Sequence, residues 1–153
     1  ADGMQREDLI FGFAPGCLPC FVRARTDARL VAYRPMSISP LEACTLPATW
    51  TTAHEVLGRA YTQRLASFLL HAATGGVGLA SLEYISWLGE VADVTASLPD
   101  KHFILSGLCI KHRCSSRDGM AFTHGLACCK AGSRLHVICN SLSDDFLASS
   151  VAL

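Results

Sequence analysis

The chain has 153 residues, with 13 basic and 13 acidic side chains, no formal net charge, and half of its residues apolar at a mean hydropathy of +0.32. That composition excludes a disordered segment, and the even mixing of charge excludes an electrostatic surface for nucleic acid or an anionic membrane. The length suits one domain with a core, or one domain and a fragment of another, and the excess of apolar residues suggests a surface that packs against something further.

In chain order, residues 9–13, 20–24 and 29–33 read as short strands separated by Pro15-Gly16 and Thr26-Asp27, an antiparallel segment too small to stand alone. Ser39-Pro40-Leu41-Glu42 has the pattern of a helix start, with Ser39 as cap and Glu42 three residues on. Residues 40–60 are expected to form two short helices broken at Pro47. From residue 66 the pattern becomes regular. The run 66–71 reads as a strand buried on both faces. A glycine-rich turn follows at 74–78. Residues 79–88 place Leu79, Leu82, Ile85 and Leu88 on one helical face. Strands over 91–96, 111–114 and 134–140 alternate with helices over 99–107, 119–130 and 144–152. This alternation predicts an α/β domain, a Rossmann-like doubly wound parallel sheet.

The eight cysteines (Cys17, Cys20, Cys44, Cys109, Cys114, Cys128, Cys129 and Cys139) form no repeated framework. They are expected to be free, buried thiols. Cys17 and Cys20 have the spacing of a zinc or redox pair, but no second pair of similar spacing accompanies them, and no metal site is expected. No histidine pairs with another ligand at metal-binding spacing. His71, at the end of the first buried strand, either touches the following loop or is satisfied by backbone. Asp2, Arg6, Glu7 and Asp8 occupy the place of a signal's apolar core, and the longest apolar runs, such as 103–110, are far too short to cross a bilayer. A cytoplasmic location is therefore expected, with a natural start upstream of Ala1.

The segment HAATGGVGLA (71–80) lies between the buried strand and the amphipathic helix, the context required of a dinucleotide fingerprint. Ala73, Gly75 and Gly78 fall where the fingerprint places its glycines, with Thr74, Gly76 and Val77 between them. Ala73 permits the tight turn. Gly75 and Gly76 admit a pyrophosphate close to the backbone, and Gly78 lets the helix pack closely. The amides of the helix start would face the phosphates. An NAD-specific site places an acid about 20 residues further on, where this chain has Ser97. Asp93 comes too early and Asp100 a turn late. Ser97, Lys101 and Arg117 can instead bind a 2′-phosphate, which points to NADPH. Ordinary solvated charge is the alternative for Lys101 and Arg117.

The segments FGFAPGC (11–17), VRARTDARLVAYRP (22–35), LPATWTTAHEVL (46–57), LLHAATGGVGLA (69–80), SLPDKHFILSGLCIKH (97–112), SSRD (115–118) and NSLSDDFLASSVAL (140–153) together resemble the enoyl reductases of polyketide and fatty acid synthases. Those belong to the zinc-free branch of the medium-chain dehydrogenase/reductase superfamily. The resemblance covers nearly the whole chain. It implies that residues 1–38 are the C-terminal part of a GroES-like substrate-binding β domain and that 39–153 are an NADP-binding Rossmann domain, incomplete at its C-terminus. It further implies reduction by NADPH of an α,β-unsaturated thioester on an acyl carrier protein, beside other synthase domains, and leaves a homodimer open.

Lys101 falls on the lysine considered as proton donor in such enzymes, in competition with its 2′-phosphate role, and Asp118 falls near the corresponding aspartate. Asn140 and Ser141 match a strand end beside the nicotinamide, and Thr51 and Thr52 match a stretch where the cofactor meets the domain boundary. Local hydrogen bonding is the alternative for Thr51, Thr52 and Asn140. Leu98 departs from the family pattern at a phosphate-facing position. Two other readings stand beside this one: a free-standing zinc-independent quinone or enone reductase, and a catalytically dead module of a synthase.

Overall fold

The computed structural model of the chain describes residues 4–5, 7–15, 26–60, 67–108, 110, 112–129 and 135–141. Cys17, Cys20, Cys109, the strand expected at 20–24 and the helix expected at 144–152 lie outside them. The chain divides into two compact units, Ala1–Thr51 and Thr52–Leu153.

In the first unit, β1 (Ile10–Gly12) pairs antiparallel with β2 (Val31–Tyr33), Phe11 opposite Ala32. A single 3-10 turn, Ala28–Leu30, leads into β2, capped by the Asp27 carboxylate on the Arg29 amide at 2.9 Å. Gly12 sits at φ +153, where a Cβ would lie 2.1 Å from the Leu30 carbonyl oxygen, so only glycine fits this crossing.

The helix α1 runs unbroken over Pro40–Ala60. Its start is the expected capping box: the Glu42 amide donates to Ser39 Oγ at 3.2 Å, and the Ser39 amide donates to Glu42 Oε2 at 2.8 Å. The break expected at Pro47 does not occur. Ala43, Ala53 and Leu57 are buried and Leu46 and Trp50 partly so, a helical stripe that continues across the proline. The Thr49 hydroxyl also donates to the Thr45 and Leu46 carbonyls. The apolar period thus outweighs a proline's usual interior cost of about 3 kcal/mol.

The second unit is a four-stranded parallel sheet in the order β5-β4-β3-β6, with β3 at Ser67–Leu70, β4 at Val91–Ala96, β5 at Arg113–Ser115 and β6 at Val137–Cys139. Leu70 pairs with Val94 on one side and with Cys139 on the other. The helices α2 (Gly76–Trp87), α3 (Pro99–Gly107) and α4 (Gly119–Cys129) connect the strands. β4 and α3 keep the bounds expected from sequence, whereas β5 and β6 are shorter than expected and α2 begins earlier.

One side of the sheet buries Phe68, Leu70, Ala92, Val94 and Ala96 against Leu57, Leu82, Ile85 and Leu105 of α1, α2 and α3. The other buries Leu69 and Cys114 against Phe122 of α4, with Leu135 and Ile138 beside them. Strand alternation turns Asp93 and Thr95 to this second side, and both are buried. Of the described free cysteines, Cys114 is buried, Cys139 half-buried and Cys44 exposed, the last against expectation. Burial pushes the Cys139 thiol above its ordinary range. Among the described residues no helix is long and apolar enough to cross a membrane.

Phe68 is fully buried on the central strand. Phe68→Ala should cost about 3–5 kcal/mol, read as a lowered urea midpoint with an unchanged slope.

Candidate cofactor site

The chain turns sharply where β3 ends. Ala72 is left-handed, at φ 50, a region disfavoured for any residue with a Cβ. Three contacts hold it. Its amide donates to Thr95 Oγ1 at 3.1 Å, the next amide, of Ala73, donates to the Thr95 carbonyl at 3.1 Å, and its own carbonyl accepts the Gly75 amide at 3.0 Å. Thr95, a residue the sequence reading passed over, is thus the partner of the turn.

The helix α2 opens directly from this turn with Gly75 as its cap residue, no capping side chain and no acid in the first turn. The first intrahelical bond is that of the Leu79 amide to the Gly75 carbonyl at 2.8 Å. The Gly76, Val77 and Gly78 amides precede it and have no acceptor within the helix, and they carry the positive end of the helix dipole. Among the described residues a Cβ on Gly75 would meet only the Ala72 carbonyl oxygen, at 3.4 Å, which leaves this backbone open on that side. A Cβ on Gly78 would lie 2.6 Å from the Ala72 oxygen and 2.7 Å from Ala73 Cα. Gly75 therefore leaves room for something outside the protein, and Gly78 makes room for the protein itself. Packing of α2 onto the turn, rather than onto the strand, is what requires glycine at 78.

Most of the other candidate residues follow the carboxyl ends of the strands. Ser97 follows the end of β4 and Lys101 lies in the first turn of α3, both partly exposed. Leu98 is the cap residue of α3, exposed and without a capping hydrogen bond. Arg117 is exposed after β5, its amide donating to Ser115 Oγ at 3.1 Å. Asp118 caps α4, its Oδ1 accepting the Ala121 amide at 3.0 Å. Asn140 and Ser141 follow β6, and the Ser141 hydroxyl donates to the His71 carbonyl at 3.2 Å, tying the ends of β6 and β3 together. Thr51 and Thr52 are exposed on α1.

The sheet order gives this edge its meaning. From β3 the chain builds outward through β4 to β5, then returns to place β6 on the opposite side of β3. The strand ends at β3 and β6 form a topological switch point, the crevice where open α/β sheets take their ligands. Ala73–Gly78, Ser97, Lys101, Arg117, Asn140 and Ser141 all follow carboxyl ends of these four strands.

Beneath the turn lies His71, only 2% exposed, its Nδ1 3.3 Å from Thr95 Oγ1 and its ring 5.6 Å from that of Phe122. Burial pushes its pKa below the ordinary histidine value of 6.5. The folded protein therefore holds fewer protons here than the unfolded chain. The stability this neutral ring contributes is complete above pH 6.5 and is lost as pH falls below that value toward the lowered folded one. Urea melts between about pH 8 and about pH 5 should show the wild type losing stability on acidification relative to His71→Phe. A second expectation concerns packing: Gly78→Ala should destabilise by about 1–3 kcal/mol through overpacking against Ala72 and Ala73, read from the same melts.

No protein-family model matches the chain. A highly reducing polyketide synthase of Didymella fabae is 33% identical over 146 residues, 94% of this chain and 8% of that protein. The solved CurK enoyl reductase is 36% identical with a TM-score of 0.77, covering 83% of this chain and 38% of that one. The nucleotide-binding subdomain of the enoylreductase domain of PpsC from Mycobacterium tuberculosis is 27% identical with a TM-score of 0.62, covering 68% of this chain and 58% of that one. The quinone oxidoreductase of Thermus thermophilus, solved also in complex with NADPH, shares the fold at 21% identity and a TM-score of 0.64, covering 79% of this chain and 39% of that one. The chain thus spans a small part of its curated relative and about two-fifths of the solved CurK domain. In sequence and in fold it belongs with the enoyl reductase domains of polyketide synthases, in the medium-chain dehydrogenase/reductase superfamily, as a stretch of one such domain.

Proposed function

We propose that this chain is the cofactor-holding part of an NADPH-dependent enoyl reductase acting on an acyl-carrier-protein-bound enoyl thioester in polyketide or fatty acid synthesis. The observation that carries the proposal is the uncapped start of α2 at the switch point of the sheet. The Gly76, Val77 and Gly78 amides lack helical acceptors, beside a Gly75 whose side-chain direction is open. Such a start fits a diphosphate. Residues 1–38 then belong to the substrate-binding β domain and 39–153 to the Rossmann domain, with other synthase domains as neighbours.

Each site residue has a role in this reading. The 73–78 turn grips the diphosphate. Ser97 and Arg117 face a 2′-phosphate. Asn140 and Ser141 lie beside the nicotinamide, with Ser141 already fixed in place through the His71 carbonyl. Thr51 and Thr52 border the cofactor. When bound, the reduced nicotinamide supplies a hydride to Cβ of the enoyl group. A protein side chain then supplies the proton at Cα. Asp118 is engaged as an acceptor at the start of α4, which favours Lys101 as the donor and leaves the 2′-phosphate to Ser97 and Arg117.

Separate titrations with NADPH and NADH, followed by nicotinamide fluorescence, test the cofactor assignment. NADPH should bind about tenfold more tightly, the worth of one charge-assisted hydrogen bond. Arg117→Ala should narrow that gap. Lys101→Ala should narrow it too if the lysine faces the phosphate, and should instead lower turnover if it delivers the proton. Equal affinity for the two nucleotides would remove the NADPH assignment.

A further inference from the structure

We infer that Thr95 is a positioning residue for the cofactor loop: from the end of β4 its hydroxyl holds Ala72 left-handed, and that conformation sets where the first amides of α2 point. The inference rests on the nucleotide-binding reading above and goes beyond it, because Thr95 lies outside the loop and is fully buried.

The geometry runs through one peptide unit. Ala72 has φ 50, which alanine does not adopt unaided. Its carbonyl accepts the Gly75 amide at 3.0 Å, and a Cβ on Gly78 would come within 2.6 Å of the same oxygen. The orientation of this carbonyl therefore decides both where Gly75 turns and where Gly78 seats. On the other side, the Ala72 amide reaches Thr95 Oγ1 at 3.1 Å. Relaxing Ala72 into an ordinary conformation would swing that amide away from the hydroxyl and the carbonyl away from Gly75. The Thr95 backbone fixes the position of its own side chain, since its carbonyl accepts the Ala73 amide at 3.1 Å. The hydroxyl has one hydrogen and two lone pairs. It can accept from Ala72 and still pair with Nδ1 of His71, 3.3 Å away, as donor or acceptor according to the tautomer of the ring. Both partners of the hydroxyl thus lie at the end of β3, and the threonine acts on the cofactor only through Ala72.

The test is a small mutant set read by NADPH affinity, with circular dichroism confirming that each variant folds. Thr95→Val should weaken NADPH binding about tenfold, the scale of one lost hydrogen bond, and Thr95→Ser should stay within about threefold of wild type. The deciding variant is Ala72→Gly, because glycine takes the left-handed conformation without steric cost. Alone it should leave NADPH affinity within about twofold of wild type, and in the Thr95→Val background it should restore most of the lost affinity. Wild-type affinity in Thr95→Val, or no recovery on adding Ala72→Gly, would overturn the inference. If Thr95→Val does not fold, Thr95→Ala in the Ala72→Gly background takes its place and should bind within about threefold of Ala72→Gly alone. A wild-type protein that binds no NADPH would overturn the nucleotide reading, and this inference with it.

Discussion

Parallel strands leave their carboxyl ends side by side, and a strand inserted between two others in such a sheet has neighbours reached by different connections. β3 occupies that place here, between β4 and β6. Its last residues are held from both directions: the His71 amide donates to the Cys139 carbonyl at 3.1 Å, and the Ala73 amide to the Thr95 carbonyl at 3.1 Å. The chain between those two bonds has to reverse within a single residue, and Ala72 does so. This double anchoring, together with the Thr95 hydroxyl on the Ala72 amide, accounts for the left-handed alanine, and the placement of Gly78 and the orientation of α2 follow from it. Two-sided burial of β3 supplies the force, since Phe68, Leu69 and Leu70 pack on opposite faces and cannot slip by one residue without exchanging sides.

The fully buried polar side chains of this sheet, His71, Asp93 and Thr95, lie on one of its faces, the one under α4. The buried cluster under α2 and α3 is apolar, with Arg113 and Ser115 of β5 at its partly exposed margin. Asp93 is 3% exposed, and its Oδ1 lies 2.9 Å from His112 Nδ1. A carboxylate placed so deeply needs a hydrogen-bonding partner, and His112, itself 44% exposed, connects it to the surface. His71 is different in kind, as burial holds it neutral and it serves as a hydrogen-bonding filler beneath the loop. One acidic position read from sequence as too early for a ribose contact therefore has a structural use of its own.

How much was legible in the sequence depended on how local each cause was. The alternation of elements, the bounds of β4 and α3, the capping box at Ser39 and Glu42 and the small-residue turn all follow from neighbouring residues, and all could be read directly. Pro47 misled, because a local rule against proline was outweighed by a stripe from Ala43 to Leu57 whose period spans it. That stripe is visible in the sequence once the window exceeds two turns. Thr95 and the bond from Ser141 to His71 could not be read at all. Each joins positions that are distant in the chain, 23 residues apart for Ala72 and Thr95 and 70 for His71 and Ser141. Only the strand order brings them together.

The treatment of helix starts separates structure from function more sharply than any single residue. α1 is closed by the Ser39–Glu42 box, and α4 by the Asp118 carboxylate on the Ala121 amide. α2 and α3 have no side-chain cap, with glycine and leucine at the cap positions. A capping oxygen occupies the place that a phosphate oxygen would take, and a capping carboxylate would also repel it. The two helices left open are those that follow β3 and β4 at the switch-point edge, where a diphosphate and a 2′-phosphate are proposed to lie. An ordinary globular domain gains about 1 kcal/mol from each such cap. The chain closes α1 and α4 in this way and leaves α2 open with no acid in its first turn, which is the arrangement expected if an external anion completes it, whereas α3, also uncapped, carries Asp100 in its first turn.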